Sequence, residues 1–258
     1  MINGTQIRCV VIQMVKPPFC RVGRKTPLRP ILLRRIPEHK TYVEPFVGTG
    51  DLFFNKPPAE RSVLNDLDSE VIKGFRLLKT ASEDISKYNF PTSVEAANRF
   101  VKSSPSTTEG KLIKHSLMSC GTFGGKGSGK IYKVRDETKT IKRLPKYKEL
   151  LENTTLLSQD YKSVLSRYDS PSTFFYLDPP YEKSEKLYKE GSVDLEDMAN
   201  RVKKLKGKVL ISLNDSKRVR DAFKGLNIRG ISVVGGGHNV KRSGIGSATR
   251  KEVLISNY

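Results

Sequence analysis

The chain has no tryptophan and only 3 cysteines and 3 histidines in 258 residues. Cys9, Cys20 and Cys120 are odd in number and widely spaced. That spacing suits neither a disulfide framework nor a CxxC metal site. His39, His115 and His238 each stand alone. Long apolar runs are also missing, and no stretch approaches the roughly 20 residues needed to cross a membrane. Near the start there is one short apolar stretch, Cys9 to Val15, broken by Gln13 and followed by Lys16 and two prolines. This argues against a signal peptide. The expectation is an intracellular protein with reduced thiols and no metal. Its place would be the cytoplasm or, for a eukaryotic host or its virus, the nucleus or a viral factory.

Acidic residues are scarce beside basic ones. Lys and Arg number 47 against 27 Asp and Glu, giving a formal net charge of +20. Such an excess favours a polyanionic partner, because each phosphate neutralised releases a condensed counterion. The bland reading is a generally basic enzyme. Apolar residues make up 36% and aromatics 8%, enough for a real core, which excludes wholesale disorder. The length suits one large domain, or one domain carrying an insertion.

No repeat or low-complexity tract is visible. Arg21 to Lys40 is basic and contains a predicted helix: Thr26 caps it, Pro27 takes the first helical position, Leu28, Ile31, Leu32 and Ile36 share a face, and Pro37 ends it. Residues 42–46 read as a strand, followed by the turn Gly48-Thr49-Gly50. Residues 62–66 read as a second strand ending in Asp66, with a helix over 69–78 after it. This βαβα rhythm predicts a mostly parallel sheet. From about residue 80 to 147 apolar periodicity weakens and basic residues accumulate around Gly121 to Lys130, so the segment reads as an insertion between two halves of one sheet. Strand-like runs resume at 155–157, 173–177, 209–213, 231–234 and 252–255, with a helix predicted over 195–205.

The sharpest chemical signal is Asp178-Pro179-Pro180-Tyr181, directly after an apolar strand. A carboxylate at the carboxyl edge of a strand sits where α/β sheets place ligands. Two prolines fix the turn and leave the Pro179 carbonyl free to accept. Carboxylate and carbonyl together can accept both hydrogens of an exocyclic amino group while Tyr181 stacks on the base. Read alone, Asp-Pro-Pro is an ordinary proline turn. The strand before it and the glycine turn upstream favour a site. Glycines at 48 and 50 let a ligand approach the backbone, and Asp66 can bond a ribose. Phe53 breaks a full GxGxxG pattern, so a nucleoside without phosphates fits better than a dinucleotide. Gly124 to Lys130 matches GxxxxGK, but Ile131 stands where a P-loop needs Ser or Thr, and the preceding segment reads as a polar helix rather than an apolar strand. It reads instead as a basic loop that touches DNA phosphates, or as a solvated one.

These residues together resemble the D12 class of N6-adenine DNA methyltransferases, the relatives of Dam. Lys25 and YVEPFVGTGDLFF resemble that family's amino-terminal lysine motif and its FxGxG S-adenosylmethionine motif. Leu64 to Asp68 resembles its acidic strand end, and Ser158-Gln159-Asp160-Tyr161 the motif holding the cofactor's adenine. Tyr176 to Tyr181 resembles the catalytic strand, Val209 to Asn214 a later motif strand, and Arg250 to Tyr258 the closing strand. The family's Gly-Gly-Lys turn reads Gly23-Arg24-Lys25 here, and Arg21 stands where an aromatic residue is common.

The resemblance implies a Rossmann-like class I methyltransferase fold: a mixed seven-stranded sheet with one antiparallel strand, helices on both faces, and an inserted DNA-recognition subdomain. Residues 1–79 and 148–258 would form the catalytic domain and 80–147 the insert. It implies S-adenosylmethionine as cofactor and no metal. Arg21, Lys25, Glu44, Pro45, Phe46, Gly48, Gly50, Asp66, Asp160, Tyr161 and Asp178 fall on cofactor-binding positions. Asp178, Pro179, Pro180 and Tyr181 fall on catalytic ones. Lys126, Lys130, Lys133, Arg135 and Arg242 are the expected DNA contacts.

The expected reaction is methyl transfer to the adenine N6 in duplex DNA, with the base flipped into the pocket. Hydrogen bonds to Asp178 and the Pro179 carbonyl would direct the nitrogen lone pair at the sulfonium methyl. The alternatives are an RNA methyltransferase acting on guanine N2 or adenine N6, and an inactive relative that only binds DNA. The roughly 130 residues between Gly50 and Asp178 leave room for a DNA-recognition insert and favour the first reading. A restriction endonuclease is a partner in function only, and monomer and dimer both stay open.

Overall fold

The computed structural model describes residues 14–21, 25–122, 129–180, 193–234 and 249–258. Seven strands form one sheet: β1 (Thr41–Glu44), β2 (Arg61–Asn65), β3 (Thr154–Leu157), β4 (Thr173–Leu177), β5 (Lys208–Asn214), β6 (Asn227–Val234) and β7 (Thr249–Ser256). Their order is β3-β2-β1-β4-β5-β7-β6. The pairs from β3 across to β5 are parallel, and β7 runs antiparallel to both β5 and β6. This is the expected mixed sheet of the class I methyltransferase fold. The chain builds outward from β1 to β3, then returns to lay β4 on the other side of β1. The β1–β4 junction is therefore the topological switch point, where the carboxyl strand ends leave a crevice.

Alternation along the central strands explains why both faces are covered. Tyr42, Leu64, Phe174, Tyr176, Leu210 and Leu254 belong to one core cluster. Val43, Val63, Phe175, Leu177, Val209, Ile211 and Val253 belong to the other. Residues one apart in a strand face opposite sides, so each side buries its own row. The first side is closed by α1 (Arg29–Leu33), α2 (Ser69–Thr80), α3 (Val94–Lys102), α4 (Thr108–Gly121), α5 (Thr138–Ile141) and α6 (Leu144–Leu151). The second is closed by α7 (Tyr161–Tyr168), α8 (Leu195–Val202) and α9 (Lys217–Ala222). No helix among the described residues is long and apolar enough to cross a membrane.

Several boundaries differ from the sequence reading. The first helix begins at Arg29 with Pro30 in its first turn and no side-chain cap, and it ends at Leu33 rather than at Pro37. Residues 26–28 form a turn, in which the Leu28 and Arg29 amides bond to the Lys25 carbonyl. Among the described residues after 80 the weak periodicity hides α3, α4, α5 and α6. In α4 the buried stripe is Leu112, Ile113, Ser116, Leu117 and Cys120. Helical spacing is present there, but two of its members are polar or small. Of these helices α4 and α6 lie on α2, and α3 lies on α4. Gly74 of α2 permits the close approach: a Cβ there would stand 2.7 Å from the Phe19 ring and would also strike His115. Burial drives the His115 pKa down to about 4, so this histidine is a neutral core residue.

The cysteine expectation is corrected. Cys20 and Cys120 form a disulfide with their Cα atoms 4.8 Å apart, so they are not reduced thiols. A pair separated by 100 positions leaves no trace in local spacing. It ties the segment that leads to Lys25 onto α4.

Candidate active site at the strand ends

Every strand of the parallel half contributes a side chain at its carboxyl end. After β1 the chain turns through Gly48 and Gly50, whose φ angles are +49° and +68°. Both lie in the left-handed region that side chains avoid. The two glycines serve different purposes. A Cβ at Gly48 would meet no heavy atom within 4 Å, so open space lies over that residue. A Cβ at Gly50 would press on Phe54 at 3.1 Å and Phe75 at 3.3 Å, so that glycine lets the turn pack on the core.

Asp66 follows β2. Its Oδ2 accepts the Gly48 N–H at 2.9 Å and its Oδ1 accepts the Asp68 N–H at 3.1 Å. Each oxygen keeps capacity for one more donor. Burial pushes its pKa up to about 6, against the pull of Arg21 and of these two backbone bonds. Arg21 bonds Asp68 at 2.7 Å, and Asp68 in turn caps α2 by accepting the Glu70 N–H.

After β3 come Asp160 and Tyr161. Asp160 is exposed and caps α7, its Oδ1 accepting the Lys162 N–H at 2.7 Å. The Tyr161 ring stands 5.2 Å from that of Phe46. The Tyr161 hydroxyl is buried with no hydrogen-bond partner among the described residues. Asn65, the last residue of β2, holds these ends together. Its amide donates to the Pro45 and Gln159 carbonyls, and its Oδ1 accepts the Gln159 N–H, all at 2.9 Å.

Asp178 follows β4, across the switch point from the glycine turn. Lys25, only 8% exposed, places its Nζ 2.6 Å from Asp178 Oδ1. Ser212 of β5 donates to the same oxygen at 3.2 Å. Burial raises the Asp178 pKa, the Lys25 charge and the bonds from Lys25 and Ser212 pull it back, and nearby Asp51 pushes it up. Pro179 is buried and Pro180 half-buried. Tyr181 lies outside the described residues.

Beneath this site is a layer of ionisable groups, of which the motif reading named Glu44 but not Asp51 or Lys56. Asp51 is 5% exposed and pairs with Arg29 at 2.9 Å. Glu44, 2% exposed, accepts the Tyr42 hydroxyl at 2.8 Å, and burial raises its pKa well above the carboxylate range. The Lys56 ammonium sits 4.4 Å from the Tyr42 ring centroid, its pKa lowered to about 8 by burial. Glu44 is thus bonded inward to Tyr42. Pro45 takes part through its carbonyl alone, and the contact of Phe46 is with Tyr161.

The expected DNA contacts separate. Lys130 and Lys133 are exposed. Arg135, though exposed, donates its NH1 to the Cys20 and Cys120 sulfurs at 2.7 and 2.9 Å. Lys126 and Arg242 lie outside the described residues. So does most of the GxxxxGK stretch, which is preceded by helix α4 and not by a strand. No group of three or more His, Cys, Asp or Glu among the described residues could hold a metal ion.

The sequence model of the D12 class of N6 adenine-specific DNA methyltransferases matches residues 22–112 and 124–234. The chain belongs to that family. It is therefore an adenine-specific DNA methyltransferase. It is 25% identical over 280 residues to the type II methyltransferase M1.LlaDCHI of Lactococcus lactis subsp. cremoris, covering 93% of this chain and 95% of the relative. It is 24% identical over 260 residues to the DNA adenine methylase of Vibrio cholerae, covering 90% and 92%. The type II methyltransferase M.CviBI of Paramecium bursaria Chlorella virus NC1A is 24% identical over 211 residues, covering 72% of this chain and 77% of that one.

The strand-end geometry suits a nucleoside cofactor without phosphates. Open space lies over Gly48, whose N–H is held by Asp66, an acceptor for hydroxyls.

Proposed function

We propose that the methyl donor is S-adenosylmethionine and that the acceptor is the N6 of an adenine turned out of duplex DNA into the crevice between β1 and β4. The observation that carries this reading is the Asp178 carboxylate at the switch point, ion-paired to Lys25 at 2.6 Å. The cofactor supplies a methyl group on a sulfonium. Asp66 accepts from its ribose hydroxyls. Asp160 and Tyr161 at the end of β3 hold its adenine, and Lys25 with Arg21 balances the carboxylates around it.

The adenine amine is conjugated with its ring and is a poor nucleophile. Asp178 and the Pro179 carbonyl accept its two hydrogens, which favours a pyramidal nitrogen with a directed lone pair. The N–H proton becomes acidic as the methyl transfers, so a modest acceptor suffices. Tyr181 stacks on the flipped base. Residues 80–147 form the recognition insert, whose lysines meet phosphates. The protein would act wherever its DNA is, inside a cell or a viral factory.

Incubation with radiolabelled S-adenosylmethionine and duplex DNA, followed by nucleoside mass spectrometry, tests the reading. Label in N6-methyladenine is the expected result. Label appearing in RNA guanine or adenine, and absent from DNA, would overturn it.

A further inference from the structure

The Asp178-Pro179-Pro180-Tyr181 motif runs forward from the end of β4, but the hydrogen bonding of Asp178 extends back into the sheet. Tyr176 and Asp178 are two residues apart on β4 and its extension, so they share a face. Ser212 lies on the same side of the neighbouring strand, one position beyond the paired Leu177 and Ile211. Its side chain is wholly buried, as is that of Tyr176. The Tyr176 hydroxyl is 2.9 Å from Ser212 Oγ, and Ser212 Oγ is 3.2 Å from Asp178 Oδ1.

An ionised carboxylate only accepts. The single Ser212 proton therefore goes to Asp178, and the Tyr176 hydroxyl must donate to Ser212. The chain runs one way, Tyr176 to Ser212 to Asp178, and each bond polarises the next. Lys25 meets the same oxygen from the opposite direction in sequence, at 2.6 Å. The Lys25 and Ser212 contacts both converge on Oδ1.

We propose that Ser212 and Tyr176 are positioning residues for methyl transfer: their hydroxyls pin Asp178 through Oδ1 and reserve Oδ2 for the adenine amine. This rests on Asp178 being the acceptor for that amine. A carboxylate held at one oxygen cannot rotate away as the nitrogen becomes pyramidal, so the transition state pays no reorganisation. The charged groups facing Asp178 are Lys25 from the amino-terminal segment, Asp51 after β1, and Glu44 at the end of β1. Burial raises its pKa while Lys25 and Ser212 lower it. Loss of the Ser212 bond must therefore raise it further. Transfer needs the ionised form, so the acid limb of the rate profile should move to higher pH.

The test is single-turnover transfer and steady-state kinetics between pH 5 and 9 for wild type, Ser212→Ala, Ser212→Thr, Tyr176→Phe and Asp178→Ala. Ser212→Ala should lower kcat about 10–100-fold, the kinetic equivalent of a lost hydrogen bond to a charged group. KM for S-adenosylmethionine should hold, and the acid limb should move up. Tyr176→Phe should lose about 2–10-fold, as expected for a neutral bond. Ser212→Thr keeps the hydroxyl and should restore both rate and limb, even if its extra methyl group lowers the melting temperature in so tight a site. An Ala variant with wild-type kcat and acid limb would overturn the proposal. So would an Ala loss that tracks melting temperature and leaves the limb in place. Asp178→Ala acting at the wild-type rate would overturn instead the reading on which the proposal rests.

Discussion

The strand-end site and the helical segment from residue 80 to 147 are built on opposite economies. At the strand ends, polar groups bond one another before any ligand arrives. Asn65 joins the ends of β1, β2 and β3, Asp66 takes two backbone amides, and Lys25 and Ser212 meet Asp178. In the helical segment, order comes from apolar contacts, with Leu112, Ile113, Leu117, Leu144 and Tyr147 in the same core cluster as Phe75 of α2. Its basic residues Lys130 and Lys133 stay exposed. Chemistry needs groups fixed to fractions of an ångström. On the proposed reading phosphate contact needs only charge at the right distance, which suits Lys130 and Lys133, left outside the packing.

That contrast predicts the largest effect at Asp178. Asp178→Ala should reduce methyl transfer at least 10²–10³-fold, the usual scale for one preorganised electrostatic contact, with the fold intact by circular dichroism. Near-normal transfer by the folded variant would mean that the strand-end site is not where the chemistry occurs.

Asn65→Ala should come next, and it should act on stability. The variant strands the buried Pro45 carbonyl and removes two bonds to Gln159, an exposed residue whose amide and carbonyl can turn to water. Buried unsatisfied groups cost about 1–3 kcal/mol each when unrelieved. A loss of about 1–3 kcal/mol in denaturant unfolding is expected. A loss below about 0.5 kcal/mol would show that the strand ends are not held by this residue.

Asp66→Ala should weaken S-adenosylmethionine by about 1.5–3 kcal/mol, the range for hydrogen bonds to a charged group, while duplex affinity without cofactor barely changes. The wild-type pKa near 6 adds a pH signature. The ionised form is the stronger acceptor, so cofactor affinity should fall as pH drops through about 6, and Asp66→Asn should flatten that dependence. For folding the sign is opposite. A carboxylate whose pKa is raised from 3.8 to about 6 binds its proton more tightly when folded, so it opposes folding most above pH 6 and less as pH falls toward 4. Calorimetry at pH 5 and 8 separates the two.

Much of this was legible in the residues. The strands were readable because buried parallel strands are short apolar runs, and the place of Asp178 at a strand end was readable because an apolar run directly precedes it. Ser212 was hidden, since its value depends on cross-strand register, which places it beside a carboxylate 34 positions away. Asn65 was hidden for the same reason, because its partners lie 20 and 94 positions away. Helix α4 was blurred by Ser116 and Cys120 in its buried stripe, and the bond between Cys20 and Cys120 by their separation. Arg135 reads as a phosphate ligand by type, yet its guanidinium is bonded to those sulfurs. Local patterns carry elements and motifs. Long-range register carries the supporting shell of a site.

The smallest expected effect is the sharpest test of the division between the two regions. Lys130 and Lys133 are exposed on either side of buried Ile131 and exposed Tyr132. The Ile131 backbone is clamped on both sides by Asn98, with bonds of 2.9 and 3.0 Å. The two lysines therefore project from a fixed support but have no packing to lose. Replacing both with alanine should leave the melting temperature and cofactor affinity unchanged. Binding to all duplexes should weaken about equally, and the slope of log K against log salt should drop by up to about 2, since each phosphate contact contributes about 0.9 for B-DNA. A salt titration of wild type and Lys130→Ala/Lys133→Ala measures it. An unchanged slope would place this edge of the insert away from DNA. A change in which adenines are methylated would mean that it reads base edges, and the division between a fixed chemical site and a charge-only recognition surface would fail at that point.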